Sequence, residues 1–139
     1  MKRFAVFVVF CQSLALGQDA AKLRIIVHGL RERKEIALTL DACPAGKKNG
    51  YDSLITKVLV EQKIPATLFL SGQWIKSHPR ETKFLASIDQ FDIGNHTYSH
   101  PHLQALTDDQ IKLEIKKTQD LLFRVTGKKA LLFRPPYGE

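Results

Sequence analysis

Short apolar runs alternate with helical patterns along most of this chain, and that alternation narrows the folds open to it. LRIIV (23–27) and EIALTL (35–40) are β-type runs with the charged residues Arg31, Glu32, Arg33 and Lys34 between them, and they read as strands. From Asp52 the spacing changes. Leu54, Ile55, Val58 and Leu59 recur at helical intervals, and the pattern stops at Ile64 before Pro65. ATLFLSG (66–72) reads as a buried strand, Trp74 to Leu85 as a helix around a break at Pro79, and FDIGN (91–95) as a strand. Thr107, followed by Asp108, Asp109 and Gln110, opens an amphipathic helix that carries Ile111, Ile115, Leu122 and Val125 on one side and ends at Gly127. LLF (131–133) is the next strand. Units of roughly 25 to 35 residues in this order are what βαβ steps produce, so the chain is α/β with a parallel sheet, open or closed into a barrel.

In such sheets the chemistry gathers where strands end. Asp41, His96, His100 and Arg134 each lie just after a predicted strand. His96 and His100, in GNHTYSH, have a spacing that lets two imidazoles meet one metal, although purely structural histidine pairs share it. Asp41 follows ALTL and puts a carboxylate where a general base could act; a turn or helix cap is the plain alternative. Arg134 belongs to FRPPYG, where two prolines keep the backbone extended, Gly138 permits a sharp turn and Tyr137 adds a ring. A guanidinium held in so stiff a loop can orient a carboxylate, and Asp41 is its natural partner.

The N-terminus has its own character. Met1, Lys2 and Arg3 precede an apolar run from Phe4 to Leu16 that only Gln12 and Ser13 interrupt, and Ala15 and Gly17 are small. Residues 1–17 are therefore expected to be a signal peptide, leaving one domain over 18–139. Roughly 13 apolar residues fall short of the ~20 a spanning helix needs, so no stable membrane insertion is expected after cleavage. The product is expected to be secreted, periplasmic or cell-wall associated. Of the two cysteines only Cys43 would remain, which excludes an internal disulfide. Removing Lys2 and Arg3 leaves 19 basic residues against 14 acidic ones, a net charge of +5, which suits anionic wall polymers. Nucleic acid is not expected as a partner, because the basic residues are scattered and no aromatic-basic motif accompanies them.

TLDACP (39–44), GNHTYSH (94–100) and RPPYG (134–138) occur in order, joined by phrases such as IPATLFLSGQWIKSHP (64–79). Together they resemble the motifs of the polysaccharide deacetylase family, the NodB-homology domain, over nearly all of residues 23–139. The resemblance implies a partial, truncated version of that family's distorted (β/α) barrel, with four or five of its strands. It implies hydrolysis of N-acetyl groups on an amino-sugar polymer such as peptidoglycan or chitin. A divalent metal, usually zinc, polarises the acetyl carbonyl in such enzymes. By the same resemblance Asp41 is the general base, His96 and His100 are metal ligands, and Arg134 orients Asp41. The backbone N–H of Tyr137 donates to the oxyanion, while Pro135 and Pro136 wall the sugar groove.

Two departures follow from the same comparison. The family's second aspartate, normally the third protein ligand, corresponds to Ala42, whose methyl group coordinates nothing. Asp52, beside Tyr51, is the expected substitute, with a helix N-cap as the alternative reading. Cys43 and His102 are weaker candidates. The chain also stops at Glu139, before the family's later motifs, among them the histidine that protonates the leaving amine. Loss of such an acid costs roughly 10²- to 10⁴-fold, so an inactive carbohydrate-binding remnant is the alternative function, and a metal-binding wall protein a third.

Overall fold

The computed structural model describes residues 28, 29, 31, 32, 34–44 and 50–139; the expected signal peptide at 1–17 and the predicted strand at 23–27 lie outside them. The unit from Lys34 to Glu139 contains every regular element found among the described residues. In chain order these are β1 (Thr39–Ala42), α1 (Ser53–Glu61), β2 (Ala66–Leu70), α2 (Gly72–Ser77), α3 (Pro79–Ala86), β3 (Phe91–Asn95) and α4 (Asp108–Thr126), with single 3-10 turns at Leu103–Ala105 and Pro136–Gly138. The sheet has the order β1-β2-β3 and is parallel throughout.

Local chemistry accounts for the helix boundaries. The Asp52 side chain accepts from the amides of Leu54 and Ile55 and starts α1. Ser71 caps α2 through the Trp74 amide, and Pro79 sits in the first turn of α3, where its missing N–H costs nothing. Thr107 and Gln110 form a reciprocal capping box on α4, and Gly127 closes that helix at φ 73°, a left-handed conformation that suits glycine.

Side chains alternate across the strands, and that alternation separates core from site. Leu40 pairs with Leu68, and Ala42 with Leu70; these residues belong to, or pack against, the cluster formed with Leu59, Trp74, Ile75, Leu85, Phe91 and Leu122. Leu70, Ile75 and Leu122 are almost completely buried, each contributing about 1.5–3 kcal/mol of apolar burial. On the other face Asp41 pairs with Phe69, and Phe69 with Gly94.

Several sequence expectations need correction. Residues 35–38 are not strand, so β1 begins at Thr39 and Asp41 lies within it rather than after it. Residues 131–133 contribute a single parallel bridge, Asn95 to Phe133, because only that pairing is closed. Among the described residues the sheet has three strands plus this bridge, and the predicted strand at 23–27 lies outside them. Helix α1 forms as the apolar spacing predicts, yet Leu54, Ile55 and Val58 are exposed and only Thr56 and Leu59 are buried.

Candidate active site

Four chain segments meet at the ends of the strands. Arg134 donates through Nη1 to Asp41 Oδ1 at 2.5 Å and through Nη2 to Thr39 Oγ1 at 2.9 Å. Its guanidinium lies 4.1 Å from the centre of the Phe69 ring, which gives it an aromatic floor as well as two polar partners. The Arg134 backbone closes the bridge to β3, since its amide donates to Asn95 O at 3.0 Å. Its carbonyl accepts from His96 Nδ1 at 2.9 Å.

That last contact fixes the imidazole. A carbonyl can only accept, so Nδ1 carries a proton, and Nε2 is the nitrogen left to offer a lone pair. Nε2 is 3.8 Å from Asp41 Oδ2, and the His96 ring is 98% enclosed, with 2% of its surface exposed. A lone pair facing a carboxylate at that range is favoured by a cation or a proton between them. His100 stands edge-to-face to His96, with ring centres 4.8 Å apart. Burial first, and the neighbouring His96 second, lower the His100 pKa from the ordinary 6.5, which favours the neutral form that binds metals. The structure thus brings Asp41, His96, His100 and Arg134 together.

The RPPYG loop completes one wall. Pro136 is buried, Tyr137 has φ 57°, and the Glu139 amide donates to Pro136 O. The Tyr137 ring meets His100 edge-on at 4.7 Å and stacks flat on His102 at 3.9 Å. His102 Nδ1 in turn contacts Glu139 Oε1 at 2.8 Å, and this contact lowers the Glu139 pKa. Thr97 and His100 also have positive φ, at 61° and 58°. With Tyr137, that makes three of the four non-glycine residues in this conformation among the described residues, all of them at one site. Such conformations are costly and cluster where geometry has a function.

The other candidate ligands have different placements. Asp52 uses Oδ1 to cap α1, and borders, with Asp41, Ala42 and Cys43, an apolar cavity of about 330 Å³ whose lining includes neither histidine. Burial first, and the Asp41 charge second, raise the Cys43 pKa, which disfavours the thiolate a metal takes. Among the described residues no group of three or more His, Cys, Asp or Glu is arranged to hold a metal ion. Imidazole nitrogens are donors that a divalent cation takes, and the site gathers two such rings beside Asp41, while Ala42 supplies no donor.

Two contributors escaped the sequence reading. Phe69 supports Arg134, and Glu114 of α4 accepts from the loop between the histidines. Glu114 did leave a signal: it is a carboxylate on the stripe of Ile111, Ile115, Thr118 and Leu122 that α4 turns inward.

A parallel sheet with a carboxylate, an arginine and two histidines gathered near its strand ends defines an α/β fold with a polar site at the sheet edge, and comparison with known proteins makes the class specific. Residues 28–139 match the profile of the family described as polysaccharide deacetylase, and this chain belongs to that family. It is 36% identical over 111 residues to a peptidoglycan-N-acetylglucosamine deacetylase of Bacillus cereus, an alignment covering 80% of this chain and 39% of that protein. A family 4 carbohydrate esterase from Bacillus anthracis superposes with a TM-score of 0.71 at 35% identity, covering 79% of this chain and 52% of that one. A CE4 family pseudoenzyme from Bacillus anthracis superposes at 0.67 with 31% identity, covering 78% and 37%. The chain spans about two fifths of the length of the curated relatives at the head of the comparison. The fold is accordingly that of the NodB-type barrel family, of which the described residues form a parallel-sheet portion.

Proposed function

We propose that this chain carries part of an N-deacetylase site acting on an N-acetylated amino-sugar polymer of the peptidoglycan or chitin type, with zinc held by His96 and His100. The observation that carries the reading is the connected row Arg134, Asp41, His96, His100, with its 2.5, 3.8 and 4.8 Å separations. A divalent cation at such a site supplies Lewis acidity towards the acetyl carbonyl and water. Asp41 takes a proton from water as the water oxygen bonds to the carbonyl carbon. Arg134 holds that carboxylate in place through one charge-assisted bond while Thr39 and Phe69 fix the guanidinium. The Tyr137 amide donates to the oxyanion, and breaking the C–N bond then releases acetate and an amine that takes the proton Asp41 removed from water. Pro135 and Pro136 wall the groove. Residues 1–17 act as the export signal for a secreted, periplasmic or wall-associated product.

Ala42 and the incomplete donor set favour a second reading, a carbohydrate-binding relative without hydrolysis. Acetate release from N-acetylated oligosaccharides, with and without added zinc, separates the two. Zinc-stimulated release is the expected result, and binding without release supports the second reading.

Asp52→Ala tests the ligand set. Removing the α1 cap is expected to cost about 0.5–2 kcal/mol in urea unfolding. Zinc stoichiometry and affinity are expected to stay at their unsubstituted values; a loss in either would return Asp52 to the site.

A further inference from the structure

The segment between the two histidines is short, strained and held from several sides. Thr97 and His100 both have positive φ, although neither is glycine, so the segment needs external bonds to stay in this form. The amides of Gly72 and Gln73, at the start of α2, donate to Thr97 O and Tyr98 O at 2.9 Å each. Asn95 Oδ1 accepts from the Thr97 amide at 3.0 Å, while Asn95 Nδ2 donates to Ile115 O on α4. The remaining two amides both reach one carboxylate. Glu114 Oε2 accepts from Tyr98 N at 2.9 Å and from Ser99 N at 2.7 Å, and Oε1 accepts from Ser99 Oγ at 3.1 Å.

We propose that Glu114 is a positioning residue, whose carboxylate sets the spacing and angle of the His96 and His100 imidazoles by clamping the Tyr98 and Ser99 amides. Its link to metal binding rests on the function proposed above; the clamp itself does not. Three bonds to an ionisable acceptor are the strong kind, and they act between the two imidazoles rather than at either ring. Helix α4 gives the clamp a rigid base, because its own stripe is anchored by Thr118 and Leu122 in the core. Outer groups that orient ligating histidines typically change metal affinity by about 10- to 100-fold when removed.

The test uses three substitutions in the full chain. Glu114→Ala removes the carboxylate, Glu114→Asp keeps the charge but shortens its reach, and Glu114→Gln keeps the reach and one acceptor oxygen. In the metal-free protein, amide hydrogen exchange at Tyr98 and Ser99 is expected to speed up by at least about 10-fold in the Ala and Asp variants, in which no acceptor oxygen reaches the two amides, and to be largely restored in the Gln variant, whose amide oxygen does. Zinc affinity, measured under conditions where each variant is folded, is expected to follow the same order, falling about 10- to 100-fold in Ala and Asp. If Glu114→Ala does not fold, Glu114→Asp carries the comparison. Unsubstituted exchange rates in both Ala and Asp overturn the clamp, as does a Gln variant as impaired as Ala. A parent chain that takes up no zinc sinks the metal reading alone, and the exchange order still decides the clamp.

Discussion

Asp41→Asn is expected to lower acetate release by about 10²- to 10⁴-fold, the range associated with loss of a general base, while leaving the fold in place. The substitution keeps the size of the side chain and an oxygen able to accept from Arg134, so the Arg134–Thr39–Phe69 support has no steric reason to move. What it deletes is the oxygen that faces His96 Nε2 at 3.8 Å and that would receive the proton of water. Stability should change little. The Asp41 and Arg134 side chains retain 37% and 35% exposure, and ion pairs in that setting contribute roughly 0–1 kcal/mol. Steady-state acetate release and urea unfolding on the same preparation check both halves. Unchanged release by a folded Asp41→Asn chain would show that water is deprotonated elsewhere, and a matching fall in stability would show that the carboxylate is structural.

The sequence made some of this arrangement readable and hid the rest for identifiable reasons. Strand β3 and helix α4 have the bounds that their patterns suggest, since turn, cap and apolar period all agree there. Residues 35–38 and 131–133 have equally good β composition but no continuous partner strand among the described residues, and pairing is a tertiary fact that composition does not carry. In α1 the apolar period marks the helix, although Leu54, Ile55 and Val58 remain exposed. At the site, Asp41, His96, His100 and Arg134 were legible as motif residues, because chemistry restricts their types. Asp52 offered two readings, and its hydrogen bonds are those of a cap. Phe69 is an ordinary strand residue in sequence, and its importance comes from Arg134 lying on it, 65 positions further along the chain.

Gly94→Ala should couple these layers, with an expected cost of about 1–3 kcal/mol from overpacking and a larger effect on the site. The requirement here is space rather than backbone freedom. A Cβ on residue 94 would fall 2.4 and 2.5 Å from Cδ1 and Cε1 of Phe69, well inside contact distance. Phe69 has little room to retreat, being 6% exposed, with the Arg134 guanidinium 4.1 Å from its ring centre. A ring displaced by the new methyl group must therefore disturb the guanidinium, and with it the bond to Asp41. Misplacement of a reacting group by about 1 Å can cost on the order of 10²-fold in rate, so acetate release should fall further than the stability loss alone would predict. Phe69→Ala provides the control, since it removes Cγ, Cδ1 and Cε1, the atoms that the methyl group meets. In the double substitution the stability penalty of Gly94→Ala should largely disappear, the non-additivity expected of residues in contact. Urea unfolding of the two single variants and the double variant reads the coupling directly, and strictly additive penalties would rule out a Phe69 clash as the reason for glycine at this position.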